Sequence, residues 1–267
     1  MSINIENAHA YALAWFHAAL SERKLWSEVE YFLKMFCPDI EDLIQLDNET
    51  DLAYIMKSPR GITLAISGTR DDHLWDPGWR RNFKIHSVNG WHEGFKKSFD
   101  DMIKSPLDHA LRQWTGKLWI HGHSAGYPIG LNAAHYARKW FPNRKSELIG
   151  LCGPQGVDSN GAAQCRKEHV CATALQIGNH DPVDDAFKIV SRLFKRLDAQ
   201  DYGYIVRLPH VPGLPGTLEN PIADAVVGGH GPKYVNRCLQ KLFINWGKPD
   251  WREQVEYLQA VMKVAIK

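Results

Sequence analysis

The chain has 267 residues, 44% of them hydrophobic and 23% charged, with a formal net charge of +2. That is ample apolar material for a core, and 10 Trp, 10 Phe and 9 Tyr exclude a disordered chain. With 32 basic against 30 acidic residues there is no electrostatic footprint for nucleic acid, and no nucleic-acid partner is expected.

In chain order, residues 7–36 read as helix, because Tyr11, Ala14, Trp15, Ala18 and then Trp26, Val29, Leu33 and Phe36 recur at three- and four-residue spacing. Glu6, His9 and His17 interrupt this segment, so it does not read as a signal peptide. Nothing in the chain approaches the roughly 18 unbroken apolar residues of a spanning helix. The expectation is a cytoplasmic protein by default, with non-classical export left open. Two strands, 52–56 and 62–67, are joined by a hairpin turn at Ser58-Pro59-Arg60-Gly61. A loop over 71–90 precedes a helix over 94–114.

The centre alternates more clearly: a strand at 118–121, an Ala-rich helix at 125–140, and strands at 148–152 and 172–177. Beyond lie a helix at 186–197, a strand at 204–208, a Pro/Gly-rich loop at 209–221, and an amphipathic C-terminal helix carrying Val255, Leu258, Val261 and Met262 on one face. Strand, helix, strand at this spacing predicts a mostly parallel sheet covered by helices on both faces. With neither internal repeat nor linker, residues 1–267 read as a single α/β domain.

The five cysteines (Cys37, Cys152, Cys165, Cys171 and Cys238) contain no CxxC. Cys165, His169 and Cys171, with Cys152 upstream, carry zinc-binding donor types, but their spacing fits no common finger. No metal is expected. Unpaired thiols suit a reducing compartment.

Chemistry gathers at Gly122-His123-Ser124-Ala125-Gly126, a GxSxG pentapeptide. A predicted strand runs directly into it and a predicted helix leaves directly after it, the setting of a nucleophile elbow that projects Ser124 above a sheet. A serine nucleophile needs a base, and the base needs an orienting carboxylate, in the chain order Ser, Asp or Glu, His. Asp181, in Asn179-His180-Asp181-Pro182-Val183, falls just past a predicted strand end; Asp184 and Asp185 compete but suit a helix cap. Downstream only His210 and His230 can serve as base. His230, in Gly228-Gly229-His230-Gly231, is preferred because a flexible loop presents an imidazole freely. The oxyanion hole needs two donors: the backbone N–H of Ala125, and a second from Ser67-Gly68-Thr69-Arg70 at the end of a strand, where Thr69 offers an N–H and a hydroxyl. His121 reads as a strand-end packing residue.

These pieces, with His92-Glu93-Gly94-Phe95 between them, occur in the order found in the class 3 (fungal-type) lipases, and the chain resembles that family from Ile62 to Tyr234. The resemblance implies an α/β-hydrolase fold and a triad of Ser124, Asp181 and His230, with Thr69 as the oxyanion residue. It implies a serine carboxylic-ester hydrolase acting on small-molecule esters or lipid, without a cofactor. Three departures stand out: Ser67 where the family has Arg, Tyr127 where a small residue is common, and Gly229 before the final His. The alternatives are a phospholipase A or effector-type lipase, and a catalytically silent hydrolase fold used as a binding module.

In relatives a lid lies where this chain has 71–90. Here that stretch holds Leu74, Trp75, Trp79, Phe83 and Ile85 among Asp71, Asp72, Asp76, Arg80, Arg81 and Lys84. Two readings fit: a lid that opens apolar surface toward lipid, or a surface loop whose aromatics pack beneath it. The 186–197 helix is basic on one face, which suits peripheral contact with a lipid surface or an ordinary solvated face.

Overall fold

The computed structural model describes residues 40–48, 50–59, 61–69, 77–84, 86–151, 153–177 and 202–208. The helices expected over 7–36, over 186–197 and at the C-terminus lie outside the described residues, as do 71–76, Cys37, Cys152, Cys238, Asp181, Asp184, Asp185, His210 and His230.

Seven of the described strands form one sheet. Strands β1 (Asp42–Asp47), β2 (Leu52–Ser58) and β3 (Gly61–Ile66) run antiparallel in sequence. From β3 the sheet continues in parallel through β6 (Lys117–His123), β7 (Ser146–Leu151), β8 (Ala172–Ile177) and β9 (Tyr204–Leu208). The small pair β4 (Ser87–Val88) and β5 (Trp91–His92) stands apart. The mostly parallel α/β sheet matches expectation, and the 58–61 turn closes the β2–β3 hairpin with Ser58 paired to Gly61. Strand β1 was not expected; its Asp42, Gln45 and Asp47 make it too polar to read as a strand alone, and it exists by pairing along β2.

Register explains the core. In β3, Ile62 and Leu64 sit opposite Leu118 and Ile120 of β6, and Ile120 sits opposite Leu148 of β7. All five are fully buried, so alternate residues of three strands build one apolar face. Helix α4 (Gly126–Trp140) lies on that face against β6 and β7. Each such side chain contributes about 1.5–3 kcal/mol on burial.

The helix expected over 94–114 is three pieces: α2 (Glu93–Ser98), a π-helical turn (Phe99–Ile103) and α3 (Lys104–Gln113). Pro106 lacks the N–H that would bond the carbonyl one turn back, and the widened turn lies just before it. Within the loop expected over 71–90, a short helix α1 (Pro77–Asn82) forms, starting on the proline whose missing N–H costs nothing there. Helix α5 (Ser159–Lys167), also unforeseen, starts on Asp158, whose carboxylate accepts the N–H groups of Asn160 at 2.9 Å and Gly161 at 3.1 Å. Among the described residues no helix is long and apolar enough to cross a membrane.

Candidate active site

Strand β6 and helix α4 meet in the tight turn that the pentapeptide predicted. Ser124 stands between them with φ 50°, in the left-handed region. For a residue with a Cβ this conformation is uncommon and is held only by its surroundings. Two glycines make the turn possible. A Cβ on Gly122 would lie 2.3 Å from the Gly126 carbonyl oxygen, and one on Gly126 would lie 2.4 Å from the Ile66 carbonyl oxygen. Both positions therefore exclude any side chain. Ser124 is half-buried, while Ala125, behind it, is buried at the N-cap position of α4. In this first turn the Tyr127 N–H donates to the Ser124 carbonyl at 3.0 Å and Pro128 carries no N–H, so the helix starts on the serine turn itself.

The end of β3 passes directly over this turn. A Cβ on Gly68 would lie 3.1 Å from Ser124 Cβ and 3.0 Å from His123 Nδ1, so the backbone leading into Thr69 is packed on the serine. The structure thus brings Gly68, Ser124 and Ala125 together, with Thr69 next in the chain.

Thr69 is held from α1. The Asn82 Nδ2 donates to Thr69 Oγ1 at 2.8 Å, and the Asn82 Oδ1 accepts from Arg81 Nε at 3.1 Å and Nη2 at 3.0 Å. Arg81, one of the charged residues of the 71–90 stretch, is buried, ion-paired with the buried Asp51, and its guanidinium lies 5.8 Å from the Phe95 ring centroid. Burial lowers its pKa to about 10, which leaves it charged at neutral pH. Asp51 is set by an Asx turn in which Asn48 Oδ1 accepts the N–H groups of Thr50 at 2.8 Å and Asp51 at 2.7 Å.

His92, of the His-x-Gly-Phe piece, serves as the N-cap of α2. Its Nδ1 accepts the Phe95 N–H at 3.3 Å, so in the neutral ring the hydrogen sits on Nε2, which donates to the Asn82 carbonyl at 3.1 Å. Burial is the largest cause of its depressed pKa, about 3, with the nearby Arg81 charge acting the same way. Phe95 is fully buried and stacked on His92 at 4.1 Å between centroids. The piece is a helix start with Phe95 packed inward, and it pins the backbone of Asn82.

The described part of β8 ends at Ile177, four residues before Asp181 in the chain, and Asp181 and His230 themselves lie outside the described residues. Asn82, Arg81 and Asp51 were not foreseen. No sequence signal joins them, since 30 residues separate Asp51 from Arg81 and only the fold makes them neighbours.

No family model matches the sequence, and no curated protein sequence matches it. Solved structures do. A nonglycosylated lipase of Yarrowia lipolytica aligns with a TM-score of 0.56 at 15% identity, covering 77% of this chain and 81% of that one. The fungal lipase of an inhibitor complex described as a model for interfacial activation aligns at 0.52 and 12%, covering 66% and 72%. A triacylglycerol lipase whose catalytic centre is described as a serine protease triad aligns at 0.51 and 14%, covering 68% and 74%. The fold is the α/β-hydrolase fold of the fungal lipases.

Within this α/β-hydrolase fold, Tyr127 is one of the three departures from the family pattern. Its ring is fully buried, and the space for it comes from β7 and the turn after it: a Cβ on Gly150 would lie 1.9 Å from the ring, and one on Gly153 would lie 2.3 Å from Tyr127 Cβ. The hydroxyl donates to the Tyr202 carbonyl at 2.8 Å, tying the elbow helix to the chain entering β9. A large residue after the elbow is thus matched by two absent side chains opposite. His121 and His123 are buried in β6. Among the described residues no group of three His, Cys, Asp or Glu is placed to hold a metal ion. Cys165 is buried and its thiol is pushed up to about 12, whereas Cys171 is exposed.

Proposed function

We propose that the chain is a serine hydrolase of carboxylic esters, acting on lipid acyl esters. The observation that carries this reading is Ser124 at φ 50° in a strand-to-helix turn, with the Gly68 backbone packed directly on it. Left-handed serine at such a turn stores strain, and strain of this kind persists where it presents a nucleophile. The likeness of fold to fungal lipases supports the same reading, as does the motif order.

In the proposed cycle Ser124 Oγ attacks the ester carbonyl while His230 takes its proton. Asp181 holds the imidazole in the required tautomer and stabilises its charged form. The Ala125 N–H and Thr69 receive the oxyanion, each such donor being worth about 2.7–4 kcal/mol in the transition state. His230 returns the proton to the leaving alcohol, leaving an acyl-enzyme. Water then repeats the steps and releases the acid. The 71–90 stretch acts as a lid over this site within a single domain. Its described part is anchored at one end by the buried Arg81, while Phe83 beyond α1 is 52% exposed and available to lipid.

The test pairs labelling with turnover. A fluorophosphonate should label the wild-type chain and leave Ser124→Ala unlabelled. The variant should also lose hydrolysis of p-nitrophenyl esters while unfolding at the same temperature. A folded Ser124→Ala with full activity would refute the mechanism. A wild-type chain that is neither labelled nor active would favour a silent binding module. Phospholipid included in a chain-length series separates lipase from phospholipase.

A further inference from the structure

We propose that the cleft at the foot of the sheet, between the loops that enter β6 and β7, binds a phosphorylated small molecule with a planar ring, a nucleoside monophosphate being the class that fits. The cleft lies at the opposite end of β6 from Ser124. That strand runs from Lys117, which lines the cleft, to His123, so roughly 20 Å separate the two places. The inference does not depend on the ester-hydrolase reading.

The cleft holds about 660 Å³, within the range of small-molecule sites. It is lined by Trp140, Phe141, Arg144 and Lys145 from the end of α4 and the loop after it, and by Gly116 and Lys117 from the loop into β6. Its charges are placed without all being neutralised. Arg144 donates from Nη1 to the Gly116 carbonyl at 2.7 Å, and from Nη2 to the Leu111 and Trp114 carbonyls, both at 2.8 Å. Arg138 pins the same loop by donating to the Pro142 carbonyl at 3.0 Å and the Arg144 carbonyl at 3.3 Å. All these acceptors are backbone carbonyls, which fix a guanidinium in space and leave its unit charge in place. A guanidinium has five N–H groups. Nε of Arg144 and the second hydrogen on Nη1 have no acceptor among the described residues. Lys145 is exposed, and no described carboxylate lies within ion-pair distance of it. Lys117, by contrast, is matched by Glu147 at 2.6 Å. The uncompensated charge therefore sits on the Arg144 side, where phosphate oxygens would accept charge-assisted hydrogen bonds.

Trp140 supplies the second half of the site. It is 61% exposed, the most among the large apolar side chains described, and Lys139 Nζ lies 5.5 Å from its ring centroid. An exposed indole beside unneutralised cations can stack a base while the cations hold its phosphate. Size decides the occupant. Arg144 is half-buried, so a ligand small enough to enter the cleft reaches it, whereas a flat lipid surface rests on the exposed Lys139 and Lys145.

Isothermal titration of AMP into the full chain at low salt is the test, with inorganic phosphate, adenosine and phosphatidylglycerol vesicles as comparison probes. AMP should bind at one site, at least about 10-fold more tightly than inorganic phosphate or adenosine. Lys145→Glu should weaken AMP about 10-fold or more. Trp140→Leu should weaken it about 5-fold or more and leave the weaker phosphate binding unchanged. Both positions are exposed, so both variants should unfold at the wild-type temperature. Absence of saturable AMP binding, AMP binding unaltered in both variants, or inorganic phosphate binding as tightly as AMP would overturn the proposal. So would vesicle binding that Lys145→Glu abolishes and AMP does not displace, since the face would then dock lipid. AMP binding with the stated variant effects upholds it whether or not the chain hydrolyses esters.

Discussion

Gly126→Ala should break the site more than it breaks the fold. The new Cβ would lie 2.4 Å from the Ile66 carbonyl oxygen and 2.7 Å from that of Ser67, both backbone atoms at the end of β3. A carbon and an oxygen rest at about 3.3 Å or more, so α4 and the end of β3 must separate by roughly 0.9 Å. Overpacking of this kind costs about 1–3 kcal/mol. The separation falls where Gly68 rests on Ser124, and a displacement near 1 Å costs on the order of 100-fold in rate. One turn along the same helix, Gly130→Ala is the control. Its Cβ would meet Leu148 Cδ1 at 2.8 Å, a side-chain tip that can rotate, and Ile120 Cγ2 at 3.1 Å, where a few tenths of an ångström suffice. Alanine also gains about 1 kcal/mol of helix propensity there. Thermal unfolding and kcat/KM on a short ester should be measured for both. Gly126→Ala should lose activity far beyond its loss of stability, and Gly130→Ala should keep nearly all activity. If Gly126→Ala remains fully active, or Gly130→Ala loses as much, the packing of β3 on the elbow does not set the site.

Two further outcomes follow from the described contacts. Tyr127→Phe removes the hydroxyl that donates to the Tyr202 carbonyl, so denaturant unfolding should show a loss of about 0.5–1.5 kcal/mol, more if the carbonyl is left dry. His92 is held neutral, with a folded pKa of about 3 against an ordinary value of 6.5. Protons therefore favour the unfolded chain between these limits: the stability His92 contributes is present above pH 6.5 and is lost as pH falls toward 3. Between pH 6.5 and 5 the wild-type chain should lose about 2 kcal/mol that His92→Asn does not lose. Parallel pH profiles for the two chains would show that His92 is not buried in the neutral form.

Some elements were legible because their signals are local. The β2–β3 hairpin has its turn residues in place, α4 has its Ala-rich face, and Gly122 and Gly126 mark a turn that no other residue type can make. The π turn before Pro106 and helices α1 and α5 were not legible. α1 is six residues long, and α5 carries a glycine that rests on Gly90, where a Cβ would lie 2.2 Å from the carbonyl oxygen. Neither has an apolar stripe that announces a helix. Strand β1 is polar and is defined by its partner.

The same division runs through the candidate site. The turn at Ser124 and Ala125, with Gly68 at a strand end, could be read from the chain because a strand-to-helix turn between two glycines carries its requirement within five consecutive residues. The network of Asp51, Arg81, Asn82 and Thr69 could not, since burial of a charged side chain depends on which distant segment folds against it. In the sequence Arg81 is one charge among several of the 71–90 stretch; the tertiary structure places it beside Asp51 and over Phe95. Tyr127 likewise read as a misfit until Gly150 and Gly153 were found opposite it. Element order and the glycine pair around Ser124 determined the fold class and the tight turn on which that serine stands. Which polar groups face one another across the core was decided only in three dimensions, because hydrogen-bond direction is a property of pairs and not of residues.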